Sequence, residues 1–576
     1  MNWLWEGRHE NSPLDFTATV MRYGTFLYTT GRCQYLTELT GEIVGLQQER
    51  SEMSRCSLFR RSPIFWLAAL AMLPFPAGSV CGQQPSGVQI VDRATGRGIP
   101  LAELTTVDGV VYLSDSGGRV ALNEPELNGQ TVFFSVRSPG YAVAKDGFGM
   151  DGVRLELQSG SRHRIEMTRT QPAQRLYRVT GRDIWLDTVR LGETAAISAP
   201  LVNAGVVGQD SVQTAVYQGR MYWFWGDTSR LSYPLGLFRT AGAVSELPGT
   251  AGVEPSAGIS LRYFAGPDGF ARAMVDVPDP TGVVWIQGVS VVRDDAGRER
   301  MVCSFSRRRG LEEPLQQGHL LWNDERELFE VLQETDLQER WRLLREHPVR
   351  QTMDGVEYLC CGAPFPVTRV PARLESLSDP RMWESWTCAA EQAGVDGQTV
   401  PQRGTDGRLQ WGWRRAAPTT QQDEQRWLRA GLMQAEETCF LPRDAEQPER
   451  RVLLHAGSVY FNEWRKRWVM IANEQAWDAK SPSFLGEVYY SEAETARGPF
   501  RQALKVATHP GQSFYNPCQH PEFDAAGGQR ILFEGTYTNT FTTSAAVPRY
   551  NYNQLMYMLD LEDERVTRVF GGSAGR

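Results

Sequence analysis

The stretch that decides the fold is Asp210-Ser-Val-Gln-Thr-Ala-Val-Tyr217, the turn Gln218-Gly219, and then Met221-Tyr-Trp-Phe-Trp225. An alternating run, a glycine turn and a strongly apolar run make a β-hairpin whose second strand is buried on both faces. The pattern recurs four times. Gly288-Val-Ser-Val-Val turns at Asp294–Gly297 into Met301-Val-Cys-Ser-Phe, and His347-Pro-Val-Arg-Gln turns at Asp354-Gly355 into Tyr358-Leu-Cys-Cys. His455-Ala-Gly-Ser-Val-Tyr-Phe turns at Asn462–Lys466 into Trp468-Val-Met-Ile-Ala, and Asn516-Pro-Cys-Gln-His520 turns at Asp524–Gly528 into Ile531-Leu-Phe-Glu534.

The second strands start at 221, 301, 358, 468 and 531. Three of the four intervals fit one four-stranded blade each, and the longest needs an insertion, which residues 388–450 supply with a short helix near Asp423–Met433. Residues 201–576 therefore read as a five-bladed β-propeller. Two stacked sandwiches would repeat the same period-2 runs. Upstream, Val88–Val91, Val110–Leu113 and Val132–Val136 alternate between turn signals, so 83–170 reads as a small β-sandwich and 171–200 as a linker. The fold class is all-β: a sandwich, then a propeller with a partly helical insertion.

Farther out lies a targeting pattern. Arg55, Arg60 and Arg61 precede the apolar run Ile64–Phe75 and the small residues Ala77-Gly78-Ser79, so residues 53–82 read as a signal peptide or an anchor. Met53 sits just before it, so residues 1–52 read as a start-site misassignment or a disordered tail. The expected location is secreted, periplasmic or in the cell envelope, with no membrane contact beyond an N-terminal anchor. An oxidising compartment would allow Cys388 and Cys439 to bridge the insertion they flank. The 576 residues carry a formal charge of −8, and four lysines stand against 56 arginines, a skew that fits GC-rich coding. Bulk electrostatics thus give no reason to expect a nucleic-acid partner.

The strand that opens at Asp210 and ends in Tyr222-Trp-Phe-Trp225 resembles the first blade of five-bladed glycoside hydrolases such as family 43. Phe484-Leu-Gly-Glu-Val-Tyr-Tyr-Ser-Glu with Arg497-Gly-Pro-Phe is similar to an outer strand of such a blade. The sandwich, with Asp92-Arg-Ala-Thr-Gly96, Ser114-Asp-Ser-Gly-Gly118 and Ser138-Pro-Gly-Tyr141, resembles the transthyretin-like regulatory domain of carboxypeptidases, an accessory without catalytic residues. The first resemblance implies a sugar enzyme with Asp210 as general base. The chain departs from that pattern at two later strand starts, where it has Gly288, His347 and His455 instead of acids, so no general acid transfers by position.

In a propeller, first-strand starts and second-strand ends share one face of the ring. That rule gathers Asp210, His347, His455, Asn516 and His520 with Asp227, Glu474 and Glu534. Glycoside hydrolysis needs two carboxyl groups, so Asp210, Glu534 and Glu474 are the catalytic candidates. His347, His455, His520, Asn516 and Tyr537 are the substrate-binding candidates, for a polysaccharide or oligosaccharide partner. Asp227, in Trp225-Gly-Asp-Thr228, reads as a turn-capping residue. Imidazoles beside Asp210 would suit a transition metal and Asp or Asn oxygens would suit calcium, but the spacing fixes no metal ligand set, and the cofactor stays open. A non-catalytic polysaccharide-binding propeller, or an envelope scaffold, fits the missing acids equally well.

Overall fold

The computed structural model describes residues 84–199, 201–237, 239–250, 254–279, 281–390, 399–477 and 481–572. The targeting pattern and the first 52 residues lie outside these. Two four-stranded sheets come first. One runs in the order Arg119–Leu122, Ser86–Asp92, Arg162–Arg169, Tyr141–Ala142, and the other Val111–Leu113, Glu103–Thr106, Thr131–Arg137, Gly152–Glu156. Their facing sides close over Val88, Ile90, Leu104, Val120, Phe134, Val136, Ile165 and Met167. Period-2 alternation along each strand sends these side chains inward, which is why the sheets stack.

Six more sheets follow. Five are blades whose two inner strands are the hairpins read from the sequence. A small three-stranded sheet of Val206–Gln209, Thr228–Arg230 and Tyr233–Leu237 adjoins the first hairpin at both its ends in sequence. Blade 1 pairs Gln213–Tyr217, Arg220–Trp225, Ala241–Ser245 and Arg262–Tyr263. Blade 2 is built on Val283–Arg293 and Glu299–Arg309, and blade 3 on Val349–Met353 and Val356–Cys361. Blade 4 is built on Leu454–Asn462 and Arg467–Glu474. Blade 5 pairs Ser513–Gln519, Arg530–Thr538 and Asn553–Asp560, and its outer strand is Gln174–Arg178. The last of these corrects the linker: part of 171–200 is a strand, and it enters the sheet made by the far end of the chain.

The apolar clusters show that the sheets form a ring. Phe224 and Val244 of blade 1 pack with Val284 and Met301 of blade 2. Val292 and Val302 pack with Leu359 and Val370 of blade 3. Phe365 and Val367, beside blade 3, meet Met470 and Tyr489 of blade 4. Val469 and Ile471 meet Ile531 and Phe533 of blade 5, and Leu176, Leu532 and Met556 of blade 5 return to Trp223 and Ala243 of blade 1. Each blade buries an apolar face against each neighbour, so no blade can leave without exposing two interfaces.

The insertion between blades 3 and 4 carries the helix Gln421–Arg429, with Thr420 and Asp423 forming a reciprocal capping box at its start. Its cysteines are not bridged: Cys388 and Cys439 are both free thiols, Cys388 beside Thr419 and Cys439 near the Glu437 carbonyl. Among the described residues no helix is long and apolar enough to cross a membrane.

Candidate functional site

Four blades share a backbone device on the inner strand. Ser211, Gly288, Glu346 and Asn516 all have a left-handed backbone, with φ of 53°, 70°, 47° and 49°. In blades 2 and 5 the strand register also slips at this point, the mark of a β-bulge. Non-glycine residues pay about 1–2 kcal/mol for this conformation, and bulges of this kind re-aim neighbouring side chains next to functional sites. The bulges are tied to one another around the ring. Asn516 Nδ2 donates to Ser211 Oγ at 2.8 Å, Ser211 N–H donates to Thr536 Oγ1 at 2.9 Å, and Gly288 N–H donates to the Glu346 carbonyl at 3.0 Å.

Asp210 sits one residue before Ser211, the left-handed position ahead of blade 1's inner strand. The end of the second strand returns beside it, as the shared-face rule requires: Gly226 N–H donates to the Asp210 carbonyl at 2.9 Å, which sets Asp227 next to Asp210. A side chain at Gly226 would collide with Asp210 Oδ1, so glycine there permits the approach. Tyr515 O–H donates to Asp210 Oδ2 at 2.8 Å, and the Tyr552 phenol is a second hydrogen-bond partner. Burial, then the negative charge of Asp227, raise the Asp210 pKa to about 7, against the opposing pull of the two phenols. Burial also raises the Asp227 pKa, opposed by the Trp285 indole N–H, which donates to Asp227 Oδ1 at 3.0 Å. Both neighbouring carboxyls resist ionisation. Asp227 thus accepts a bond from blade 2, where the sequence suggested a turn cap.

Glu346 was one residue from the position chosen on the sequence. It takes the left-handed position just before the inner strand of blade 3, the counterpart of Ser211, and His347 follows it. Burial raises its pKa. Blade 3 is not a neighbour of blade 1, so the ring sets Glu346 on a blade across the axis from Asp210.

The remaining candidates separate. Glu534 is not a strand end: its strand runs on to Thr538, and Glu534 is fully buried mid-strand, where its Oε1 accepts from His520 Nε2 at 2.7 Å. His520 lies past the bulge and inside the wall, 5.2 Å ring to ring from Trp223, and both are corrections to the rim assignment. Glu474 is at a strand end, but its carboxylate is taken by Arg450, which also pairs with Asp444 at 3.0 Å. That ion pair removes it from the catalytic set. Tyr537 belongs to the apolar cluster between blades 4 and 5, so it is core and not a substrate contact. His347 Nδ1 and the Cys518 thiol are hydrogen-bonded at 3.3 Å, joining blades 3 and 5 beneath the rim. His455 stays half-buried at the start of blade 4 beside Asn473, and burial lowers its pKa to about 4. The three imidazoles therefore have three different partners, and among the described residues no three His, Cys, Asp or Glu side chains converge as a metal site.

The sequence left Glu346 unmarked and made Asp227 a turn cap, and it did not mark Tyr515, Tyr552 and Trp285 as hydrogen-bond partners of the Asp210–Asp227 pair. Tyr515 and Glu346 each adjoin a residue the sequence did single out, Asn516 and His347.

No family model matches the chain, and no curated protein matches it in sequence. Among solved structures it is similar to an exo-1,5-α-L-arabinanase from a bovine ruminal metagenomic library, at 10% identity over 62% of this chain and 94% of the other, with a TM-score of 0.30. It is also similar to the GH43_1 enzyme from Xanthomonas citri in complex with xylose, at 12% identity over 62% and 87%, TM-score 0.30. The endo-arabinase from Bacteroides thetaiotaomicron VPI-5482 gives 11% identity over 63% and 98%, TM-score 0.29. The propeller is established here by sheet order and ring closure, independently of these overlaps.

Proposed function

We propose that this propeller is carbohydrate-active and hydrolyses a glycosidic bond in a polysaccharide or oligosaccharide. The observation that carries the reading is the Asp210–Asp227 pair, two carboxyls pressed together at the start of blade 1, with a pKa raised into the neutral range. Such a pair holds a proton where an isolated carboxyl has lost it, which general acid–base work at neutral pH requires. Glu346 supplies the carboxyl on another blade that a two-carboxyl mechanism needs on the far side of the bond. In this reading the pair and Glu346 divide the two tasks: one side protonates the leaving oxygen, and the other activates water or attacks the anomeric carbon. Aromatic side chains fit the partner, since sugar C–H faces pack on rings. Trp477 is exposed and packs edge-on against Phe484 at 5.0 Å.

The test is a screen of the full chain on a polysaccharide panel, scoring bound polymer and released reducing ends separately. Asp210→Asn and Glu346→Gln are each expected to cut release by about 10²–10⁴-fold with binding retained. Undiminished release in both variants rejects the mechanism. One observation favours the second reading, a binding propeller without cleavage: Asp210 is only 7% exposed and lies under two tyrosines. Binding without any reducing ends from the parent chain would select it.

A further inference from the structure

The loop that carries Tyr552 to Asp210 is also the loop that grips the sandwich. It connects the second and third strands of blade 5, and its last turn runs from Val547 to Asn553. Tyr550 is buried in the sandwich: its phenol accepts from Leu101 N–H at 3.0 Å and donates to the Ser114 carbonyl at 2.5 Å. The Arg178 guanidinium lies over the same ring, 5.2 Å from its centre. Two residues on, the Tyr552 carbonyl accepts from Gln209 N–H at 2.8 Å, immediately before Asp210, and the Tyr552 phenol bonds Asp210 itself. A Cβ on Gly208 would lie 2.5 Å from the Tyr552 carbonyl oxygen, so the approach needs the bare backbone there.

The turn between the two tyrosines is fixed at several points. Arg549 and Tyr552 have left-handed φ of 64° and 62°. Asn551 Oδ1 accepts from Asn539 N–H at 2.8 Å, and Asn553 Nδ2 donates to the Asn551 carbonyl at 3.1 Å. A displacement of Tyr550 therefore reaches Tyr552 with little slack.

We infer that the sandwich is a positioning element for the carboxyl pair, acting through Tyr550, which clamps the 547–553 strap and so holds the Tyr552 phenol on Asp210. Tyr550 is a positioning residue, since it touches sandwich backbone and not the carboxyl. The inference rests on Asp210 being the working carboxyl of the proposed function. The groups that face Asp210 are Asp227 from blade 1, Tyr515 from blade 5 and Tyr552 from the strap. Those that face Tyr550 are Arg178, Asp115 and Arg175. A phenol donating to the charged form of Asp210 favours that form, so a loosened strap shifts its titration upward.

The experiment uses the full chain and no substrate. Thermal unfolding is followed from pH 4 to pH 9 for the parent and Asp210→Asn, and again for both in a Tyr550→Phe background. The gap between each pair of curves opens as the unfolded Asp210 ionises and stops widening once the folded Asp210 has ionised, so the pH at which it levels off reports the proton on Asp210 in the native state. Tyr550→Phe is expected to move that point upward by about half a pH unit, Tyr552→Phe by more, since it deletes the donor itself. Glu193→Gln, which breaks the Arg119–Glu193 pair elsewhere at the sandwich base, is expected to leave it in place. Should Tyr550→Phe not fold, Arg178→Gln loosens the same ring and is expected to shift the point in the same direction. A uniform loss of Tm with an unmoved levelling-off point would reduce Tyr550 to a docking contact and overturn the inference. So would parent and Asp210→Asn curves that never diverge. Released sugar is not read in this assay, so a failed hydrolase reading and a failed strap show up in different measurements.

Discussion

Blades 1 and 5 each bury a carboxylate near the ring's closing seam, and they treat it in opposite ways. In blade 5, Glu534 Oε1 accepts from His520 Nε2 at 2.7 Å, a donor matched to an acceptor beside the rings of Trp223 and Phe523. Glu534 Oε2 and His520 Nδ1 have no hydrogen-bond partner among the described residues. In blade 1, Asp210 has a second carboxyl beside it and phenols above it, so its charge is opposed by burial and by Asp227. A matched pair holds a wall together. A mismatched pair raises a pKa and stores a proton, and strained bulges on either side keep the mismatch in place. The second arrangement is the one the proposed hydrolysis would draw on, and the first serves the wall.

Removing one half of the matched pair should have the largest effect. Glu534→Ala leaves the fully buried His520 without its partner and opens a void between blades 5 and 1, so a destabilisation of about 3–5 kcal/mol is expected from chemical denaturation. Glu534→Gln keeps an acceptor oxygen for the His520 N–H and should cost clearly less. Equal losses in the two variants would mean that volume, and not the hydrogen bond, holds the seam.

The mismatched pair should answer with the opposite sign. Asp210 has a folded pKa above its unfolded value, so between the two the native state binds more protons than the unfolded chain. Stability on this account falls as pH rises through that window and is lowest above the folded value. Asp210→Asn removes the penalty and should stabilise the chain by roughly 1–4 kcal/mol above neutral pH, with the gain fading below about pH 3, where both states are protonated. A variant less stable than the parent at every pH would show that Asp210 is held as a structural anion.

Trp285→Phe probes the other half of the pair at smaller cost. It keeps the ring and deletes the N–H that donates to Asp227 Oδ1 at 3.0 Å. Losing a donor to a carboxylate should cost about 1–2 kcal/mol and push the pair's titration upward. The direction is read from the same pH series, and a downward shift would contradict the assignment of the indole as stabiliser of the charged form.

The contrast between the blades also explains what the sequence could reveal. Period-2 runs and glycine turns located both inner strands of every blade, because burial on two faces writes itself into consecutive side chains. The closing strand Gln174–Arg178 was invisible, since its partner lies nearly 400 residues away and only pairing distinguishes Gln-Arg-Leu-Tyr-Arg from a linker. Asp210 was legible from its place at a strand start. The fates of Glu534 and Tyr537 were not, since strand length and inter-blade packing, and not local pattern, drew them into the wall. Glu346 was missed because it lies ahead of its strand in a left-handed backbone, which a non-glycine residue leaves unmarked in the sequence.

The smallest effect expected separates rim from wall among the aromatics. Trp477 is 67% exposed and touches only Phe484 among rings, whereas Tyr537 is buried among His509, Val469 and Leu555. Trp477→Ala removes little packed surface, so unfolding should stay within about 0.5 kcal/mol of the parent. If a sugar ring lies on it, affinity for the polysaccharide found in the screen should fall by roughly 1 kcal/mol, a five- to tenfold rise in Kd by titration calorimetry. Tyr537→Ala should behave in reverse, losing about 3–5 kcal/mol of stability through the cavity it leaves, with binding unchanged in whatever fraction stays folded. If Trp477→Ala instead left affinity untouched, the sugar would have to be held by groups closer to the axis, and the carboxyl pair would carry binding as well as chemistry.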